Sequence, residues 1–98
     1  MPLTRKNVLN SDGTVIFGRT REPGSRLTMN MCLRAAKPVY HVHDNWYSHP
    51  YCTGMFRAWV DKHNIKVLNV AGNRESKNPG IQKRVREFLI SALKEVNI

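Results

Sequence analysis

Short apolar runs alternate with longer amphipathic stretches along this chain, and residues that break both patterns separate them. Thr14-Val15-Ile16-Phe17 is a β-branched and aromatic run of the kind that forms a buried strand. Val39 to Val42 and Lys66 to Ala71 are two more. The strands read as apolar rather than alternating, which suits burial on both faces of a sheet. Helical patterns lie between them. From Ser25 or Arg26 onward, Met29, Cys32, Leu33 and Ala36 recur at the spacing of one helix face, and Pro38 ends the pattern. Tyr51 to about His63 predicts a second helix with Phe56, Trp59, Val60 and His63 on one face. A last helix starts near Pro79, with Ile81, Val85, Phe88, Leu89, Ala92 and Val96 inward and Lys83, Arg84, Arg86, Glu87 and Lys94 outward. Thr4 to Asn10 is a basic opening segment expected to make a helical turn or two before Ser11-Asp12-Gly13 break it.

Strands that alternate with helices predict an α/β fold, with a small parallel sheet of about three strands joined by right-handed crossovers and flanked by helices. The 98 residues are read as one domain. Three strands make a thin sheet with exposed edges. One edge is therefore expected to be covered by another copy of the chain, making the protein a homo-oligomer.

Charge narrows the partners. Sixteen Lys and Arg against seven Asp and Glu give a net charge of +9. Such a surface attracts phosphate-bearing partners, whether small molecules or nucleic acid. A membrane partner is not expected, because no apolar run approaches the roughly 20 residues of a transmembrane helix. The first residues have no apolar stretch after their charges and do not read as a signal peptide. Cys32 and Cys52 are too few for a disulfide framework and are expected to be reduced thiols in a cytoplasmic protein. Cys32, among Met29, Leu33 and Ala36, is read as core packing.

Ligands of open α/β sheets bind beyond the carboxyl ends of the strands. Two loops there combine glycine, small hydroxyls, cations and a following helix. The first runs from Gly18 to Arg26, and within it Arg19, Arg21, Gly24, Ser25 and Arg26 are candidate ligand contacts, joined by Thr28 in the helix. The second runs from Ala71 to Gly80 and offers Gly72, Asn73, Arg74, Glu75, Ser76 and Lys77. Backbone N–H groups at a helix start, together with the positive end of its dipole, make an anion site. The plainer alternative is that glycine and serine simply make turns and caps.

The segment between His41 and Tyr51 is less specific. His41, His43 and His49 or Asp44 match no strong metal motif, so no metal site is assigned. Trp46 and Tyr47, with Tyr51, are candidates for stacking on a nucleobase; capping the core or forming a subunit contact is the alternative. No nucleophile–base pair is apparent. Glu22 and Glu75 are the sole acids in the two loops.

Two stretches resemble a known family. Val67 to Ile81, with Asn-Val-Ala-Gly-Asn-Arg-Glu-Ser-Lys-Asn-Pro-Gly at its centre, is similar to the "LNVAGPRESKxPGI" segment of the molybdenum carrier family. That family is the circularly permuted YpsA-like branch of the SLOG superfamily of Rossmann-like proteins. Arg5 to Thr14 resembles its "RxNVxxSDgT" segment, Gly24 to Thr28 its "GTxLT", and Lys37-Pro38-Val39 its "kPv" strand start. The match in order and spacing covers about residues 4 to 94. The resemblance implies a minimal Rossmann-like three-layer sandwich in which residues 66–71 lie beside 14–18, with 38–42 beyond. Both glycine loops would then flank one crevice. It also implies a nucleotide or nucleotide-derived ligand. Family members are longer and begin with another Gly-rich loop near "SGGQTGxD", and this chain starts beyond it. The hydrolase branch carries a catalytic Glu where this chain has Met31, or Asn30 in the other register. Asn73 stands where Pro is common.

The resulting expectation is a non-catalytic protein that binds or sequesters a phosphorylated nucleotide-derived ligand at the carboxyl edge of the sheet. No cofactor is named. A nucleotide hydrolase using Glu75 or Glu22 and a basic nucleic-acid-binding protein are the alternatives.

Overall fold

The computed structural model describes residues 2–19, 21–43, 51–73 and 78–93. In chain order the elements are α1 (Pro2–Asn10), β1 (Gly13–Phe17), α2 (Pro23–Arg34), β2 (Val39–Val42), α3 (Cys52–Lys62), β3 (Leu68–Gly72) and α4 (Ile81–Leu93). The strands form one parallel sheet in the order β2-β1-β3. β1 pairs with β2 from Thr14↔Val39 to Phe17↔Val42. It pairs with β3 from Gly13↔Leu68 to Phe17↔Gly72. This is the α/β Rossmann-like arrangement expected from the sequence, including the neighbours assigned to each strand.

The strand order dictates where the helices go. The chain moves one way from β1 to β2 and back across β1 from β2 to β3. Right-handed crossovers then put α2 and α3 on opposite faces of the sheet. On the α3 and α4 face, Val15, Phe17 and Val42 meet Cys52, Phe56, Ile81, Phe88 and Ala92 in one buried cluster. Phe88 sits edge-on to both Phe17 and Phe56, with ring centroids 5.3 and 5.4 Å apart. α4 thus uses the face its periodicity predicts, up to Val96, which lies outside the described residues. β1 is buried along its whole length, as expected of a central strand.

Several details depart from the pattern. β2 and β3 are only partly buried, not covered on both faces, because each is an edge strand with β1 between them, and β3 spans Leu68–Gly72 where residues 66–71 were expected. α2 begins at Pro23, not at Ser25 or Arg26, because Pro fits a first helical turn that needs no N–H there. Its buried residues are Ser25, Thr28 and Cys32, while Leu33 is 63% exposed. Small side chains let this helix lie close to the sheet, and the Thr28 hydroxyl is satisfied within the helix by the Gly24 carbonyl at 3.0 Å. The predicted Met29-Cys32-Leu33-Ala36 face is therefore rotated, with only Cys32 fully buried. Finally, His63 is exposed at the end of α3, whose buried anchors are Cys52 and Phe56.

The end of the sheet away from the glycine loops is tied by side chains. The Asp12 carboxylate accepts the backbone N–H groups of Lys66 at 2.9 Å and Val67 at 2.8 Å. The Lys37 ammonium donates to the carbonyls of Leu9 and Ser11, covering the C-terminus of α1. No helix among the described residues is long and apolar enough to cross a membrane.

Candidate ligand-binding site

The loop after β1 leads to α2 on one face, and the loop after β3 leads to α4 on the other. Adjacent strands whose loops part in this way open a crevice at their carboxyl ends. The described ends of both glycine loops, Gly18–Arg19 and Gly72–Asn73, lie there. They are also joined directly, through Asn73.

Asn73 follows β3 and is 8% exposed. Its Oδ1 accepts the Arg19 backbone N–H at 2.8 Å, and its Nδ2 donates to the Arg19 carbonyl at 2.8 Å. The same Nδ2 donates to Ser25 Oγ at 3.1 Å, and Asn78 Nδ2 donates to Asn73 Oδ1 at 3.1 Å. Two donors and two acceptor positions are all that a carboxamide has. Asn73 therefore has every side-chain valence committed to the protein. The sequence placed it among ligand contacts; the geometry makes it the clamp between the two loops.

Gly18 is the other half of that clamp. Its φ is +95°, and a Cβ there would lie 2.4 Å from Asn73 Oδ1. Only glycine supplies both the backbone conformation and the space. The Gly18 carbonyl meets His41 Nε2 at 2.5 Å, which ties the start of the first loop to β2.

The other candidates divide clearly. Ser25 is buried, and its oxygen accepts from Asn73, which leaves the hydroxyl proton for a further acceptor. Gly24 is exposed, with no atom within 4 Å of the space its Cβ would fill. Arg19, Arg21 and Arg26 are exposed. The Arg26 backbone N–H already goes to the Glu22 carbonyl at 2.9 Å, and Pro23 has none, so Gly24 and Ser25 carry the first-turn N–H groups of α2. The Thr28 hydroxyl spends its proton on the Gly24 carbonyl. Gly72 ends β3 beside Phe17. Trp46, Tyr47, Arg74, Glu75, Ser76 and Lys77 lie outside the described residues. The residues that bracket the 74–77 segment are joined by the Asn78–Asn73 bond.

Sequence reasoning left out two residues of this network. Arg84 Nη2 donates to Asn78 Oδ1 at 2.7 Å, and Nη1 to the Pro79 carbonyl at 3.2 Å. Arg84 had been read as one of several outward cations on α4. Nothing in helical periodicity singles out a cation that folds back over its own helix start.

The chemistry of the crevice is hydrogen bonding and positive charge. Glu22 is 3.9 Å from an Arg19 guanidinium nitrogen. Met31 lies with Val8, Leu9 and Arg34 in a recess between α1 and α2, so the position of the hydrolase glutamate in that register belongs to helix packing. Cys52 is buried and its thiol is pushed up to about 11 by desolvation, which keeps it protonated and unreactive at neutral pH. The His41 and His43 rings lie against each other at a tilt of 53°, with centroids 4.0 Å apart. Among the described residues, no group of three or more His, Cys, Asp or Glu is placed to hold a metal ion.

With this geometry in view, the likeness to known proteins is informative. The family profile described as "Circularly permutated YpsA SLOG family" matches residues 2–93. A solved structure of "Putative molybdenum carrier protein" from Syntrophus aciditrophicus superposes with a TM-score of 0.85 at 35% identity. The match covers 92% of this chain and 58% of that one, so the chain spans little more than half the length of its solved relative. No curated protein matches the chain.

Proposed function

The chain belongs to the circularly permutated YpsA SLOG family, and we propose that it binds a phosphorylated nucleotide or nucleotide-derived ligand in the β1–β3 crevice without turning it over. The observation that supports this reading is the Asn73 clamp, which holds the end of β3 against the Arg19 backbone and the first turn of α2. The Gly24 and Ser25 N–H groups and the Ser25 hydroxyl would hold phosphate oxygens. Arg21, Arg26, Arg74 and Lys77 would supply charge, the guanidinium groups by paired hydrogen bonds. Trp46 or Tyr47 would stack on the base.

The relative is called a molybdenum carrier, and a molybdenum oxyanion needs the same kind of donor as a phosphate. Native mass spectrometry with a panel of nucleotides, cyclic nucleotides, phosphate and molybdate separates these ligands. A stoichiometric nucleotide adduct of unchanged mass is expected. Arg26→Ala and Arg74→Ala should each weaken it at least tenfold, about 1.4 kcal/mol. An adduct with molybdate alone would replace the nucleotide by an inorganic oxyanion. A nucleotide that is converted to products would replace binding by catalysis, with Glu75→Gln the next variant.

A further inference from the structure

The hydrogen bonds around Asn73 have a direction as well as a length. Arg84 Nη2 donates to Asn78 Oδ1 at 2.7 Å, and a guanidinium can only donate. Asn78 therefore turns its oxygen to Arg84 and its amide nitrogen to Asn73, whose Oδ1 accepts at 3.1 Å. The Arg19 main chain fixes the Asn73 carboxamide the same way round, with its N–H on Oδ1 and its carbonyl on Nδ2. Nδ2 is thus the atom turned to Ser25, and it donates to Ser25 Oγ at 3.1 Å. The links from the Arg84 charge to the Ser25 oxygen all point one way. Hydrogen bonds aligned like this polarise one another.

This run of donors ends on a buried hydroxyl. Ser25 is 2% exposed. Two other buried hydroxyls donate to a carbonyl of the preceding turn, Ser11 to Val8 at 2.9 Å and Thr28 to Gly24 at 3.0 Å. Ser25 does not. Asn73 holds its oxygen as an acceptor, and no acceptor among the described residues takes its proton. A buried donor left unpaired is costly. The Gly24 and Ser25 N–H groups open in the same turn, because Pro23 has no N–H and the Arg26 N–H goes to the Glu22 carbonyl at 2.9 Å. Gly24 N–H, Ser25 N–H and Ser25 O–H are all donors. An oxyanion with bare oxygens satisfies the three together. A protonated ligand oxygen would donate to the second lone pair of Ser25 Oγ and leave the Ser25 proton buried without a partner.

We propose that Asn73, oriented by Arg19, Asn78 and Arg84, is a positioning residue that sets Ser25 to donate, so that the first turn of α2 selects a tetrahedral oxyanion with all its free oxygens unprotonated. The proposal rests on the ligand reading above and narrows it. A terminal phosphoryl group is taken as the dianion, and sulfate is taken on the same terms. The charged and titratable groups around this turn are Arg19, Arg21, Glu22 and Arg26 on the loop and α2. His41 and His43 stand at the end of β2, with His41 bonded to the Gly18 carbonyl. Arg74, Glu75 and Lys77 follow Asn73 in the sequence. Their titration acts on any bound anion and cancels in a ratio between two oxyanions.

Titrations of the full chain with sulfate and with adenosine 5′-monophosphate, followed by the Gly24 and Ser25 amide signals in NMR, test this. Sulfate stays a dianion on mild acidification, whereas the phosphoryl group takes up a proton at about pH 6. In wild type the affinity for the monophosphate relative to sulfate is expected to fall about tenfold between about pH 7 and about pH 5. Asn73→Ala gives the Ser25 proton another way to turn, so the fall is expected to shrink although both affinities drop. Ser25→Ala is expected to weaken both probes about tenfold or more, and Ser25→Thr, which keeps the hydroxyl, to retain them. A wild-type ratio that does not change with pH would overturn the proposal, and this result needs no variant. So would an equal fall in wild type and folded Asn73→Ala, or a folded Ser25→Ala chain that binds both probes as wild type does. Monophosphate bound without any shift at Gly24 and Ser25 would overturn the contact and leave nucleotide binding standing. Sulfate bound at that turn without the monophosphate would keep the oxyanion contact and remove the nucleotide from the proposed function. A wild type that binds neither would overturn both.

Discussion

The Asn73 carboxamide and the Arg19 main chain are matched donor to acceptor, Oδ1 accepting from the Arg19 N–H and Nδ2 donating to the Arg19 carbonyl, with both contacts at 2.8 Å. A side chain thereby does at the end of β3 what a further strand residue would do. It carries the β1–β3 register past Phe17↔Gly72, the last strand pair. Asn73→Ala leaves the Arg19 N–H and carbonyl, the Ser25 oxygen and the Asn78 amide without this partner. Unmade bonds at buried polar groups cost about 1–3 kcal/mol. For a chain of this size that lowers Tm by on the order of 10 °C. Scanning calorimetry checks it. Asn73→Asp keeps the acceptor and loses the donors, and is expected to be destabilised as well.

Gly18→Ala attacks the same contact from the other strand. The new methyl meets the Asn73 carboxamide, and φ at +95° strains any side chain. The two costs separate in a double-mutant cycle. Gly18→Ala should destabilise more in the wild-type background than in Asn73→Ala, with a coupling of about 0.5–3 kcal/mol. Equal costs in both backgrounds would mean that φ strain alone explains the glycine.

Much of this arrangement was legible before the structure. The apolar run at Val15–Phe17 declared itself as a strand because burial on both faces leaves no room for polar alternation, whereas Val39–Val42 was legible from its β-branched and aromatic residues although it is only partly buried. The helix α4 was read correctly because its inward side chains are large. α2 was misread for the converse reason. Its sheet-facing positions are Ser25, Thr28 and Cys32, whose small size rather than hydrophobicity qualifies them for close approach. The role of Asn73 was hidden for a related cause. An asparagine in a glycine loop reads as a ligand contact, and nothing local shows that its partner lies in a loop 54 residues earlier. The pairing with Arg19 exists only once β3 lies beside β1.

Arg84 offers a finer test of the same network. Its guanidinium reaches both the Asn78 side chain and the Pro79 carbonyl, a two-pronged contact that an ammonium cannot copy. Arg84→Lys keeps the charge and loses the fork. A loss of stability of about 1 kcal/mol is expected, with faster amide exchange at Gly80 and Ile81. Nucleotide affinity should fall if the 74–77 loop holds phosphate, since Asn78 anchors its far end. Affinity unchanged by Arg84→Lys would remove that loop from the site.

At the opposite end of the sheet, Asp12 gives a pH dependence of definite sign. Its carboxylate accepts the Val67 and Lys66 N–H groups, and these bonds hold its pKa below the usual 3.8, aided by the Lys37 and Lys66 charges. A carboxyl whose folded pKa is depressed stabilises the fold above its unfolded pKa, and the benefit is lost as pH falls through the folded value. Asp12→Asn retains an acceptor oxygen but not the charge. It is expected to melt below wild type at neutral pH, and the gap should close as the pH is lowered through the carboxylate range. Because Asp12 acts where β3 begins, away from the crevice, its replacement should leave nucleotide affinity unchanged. A gap in Tm that persists at low pH would show that Asp12 acts by shape rather than charge.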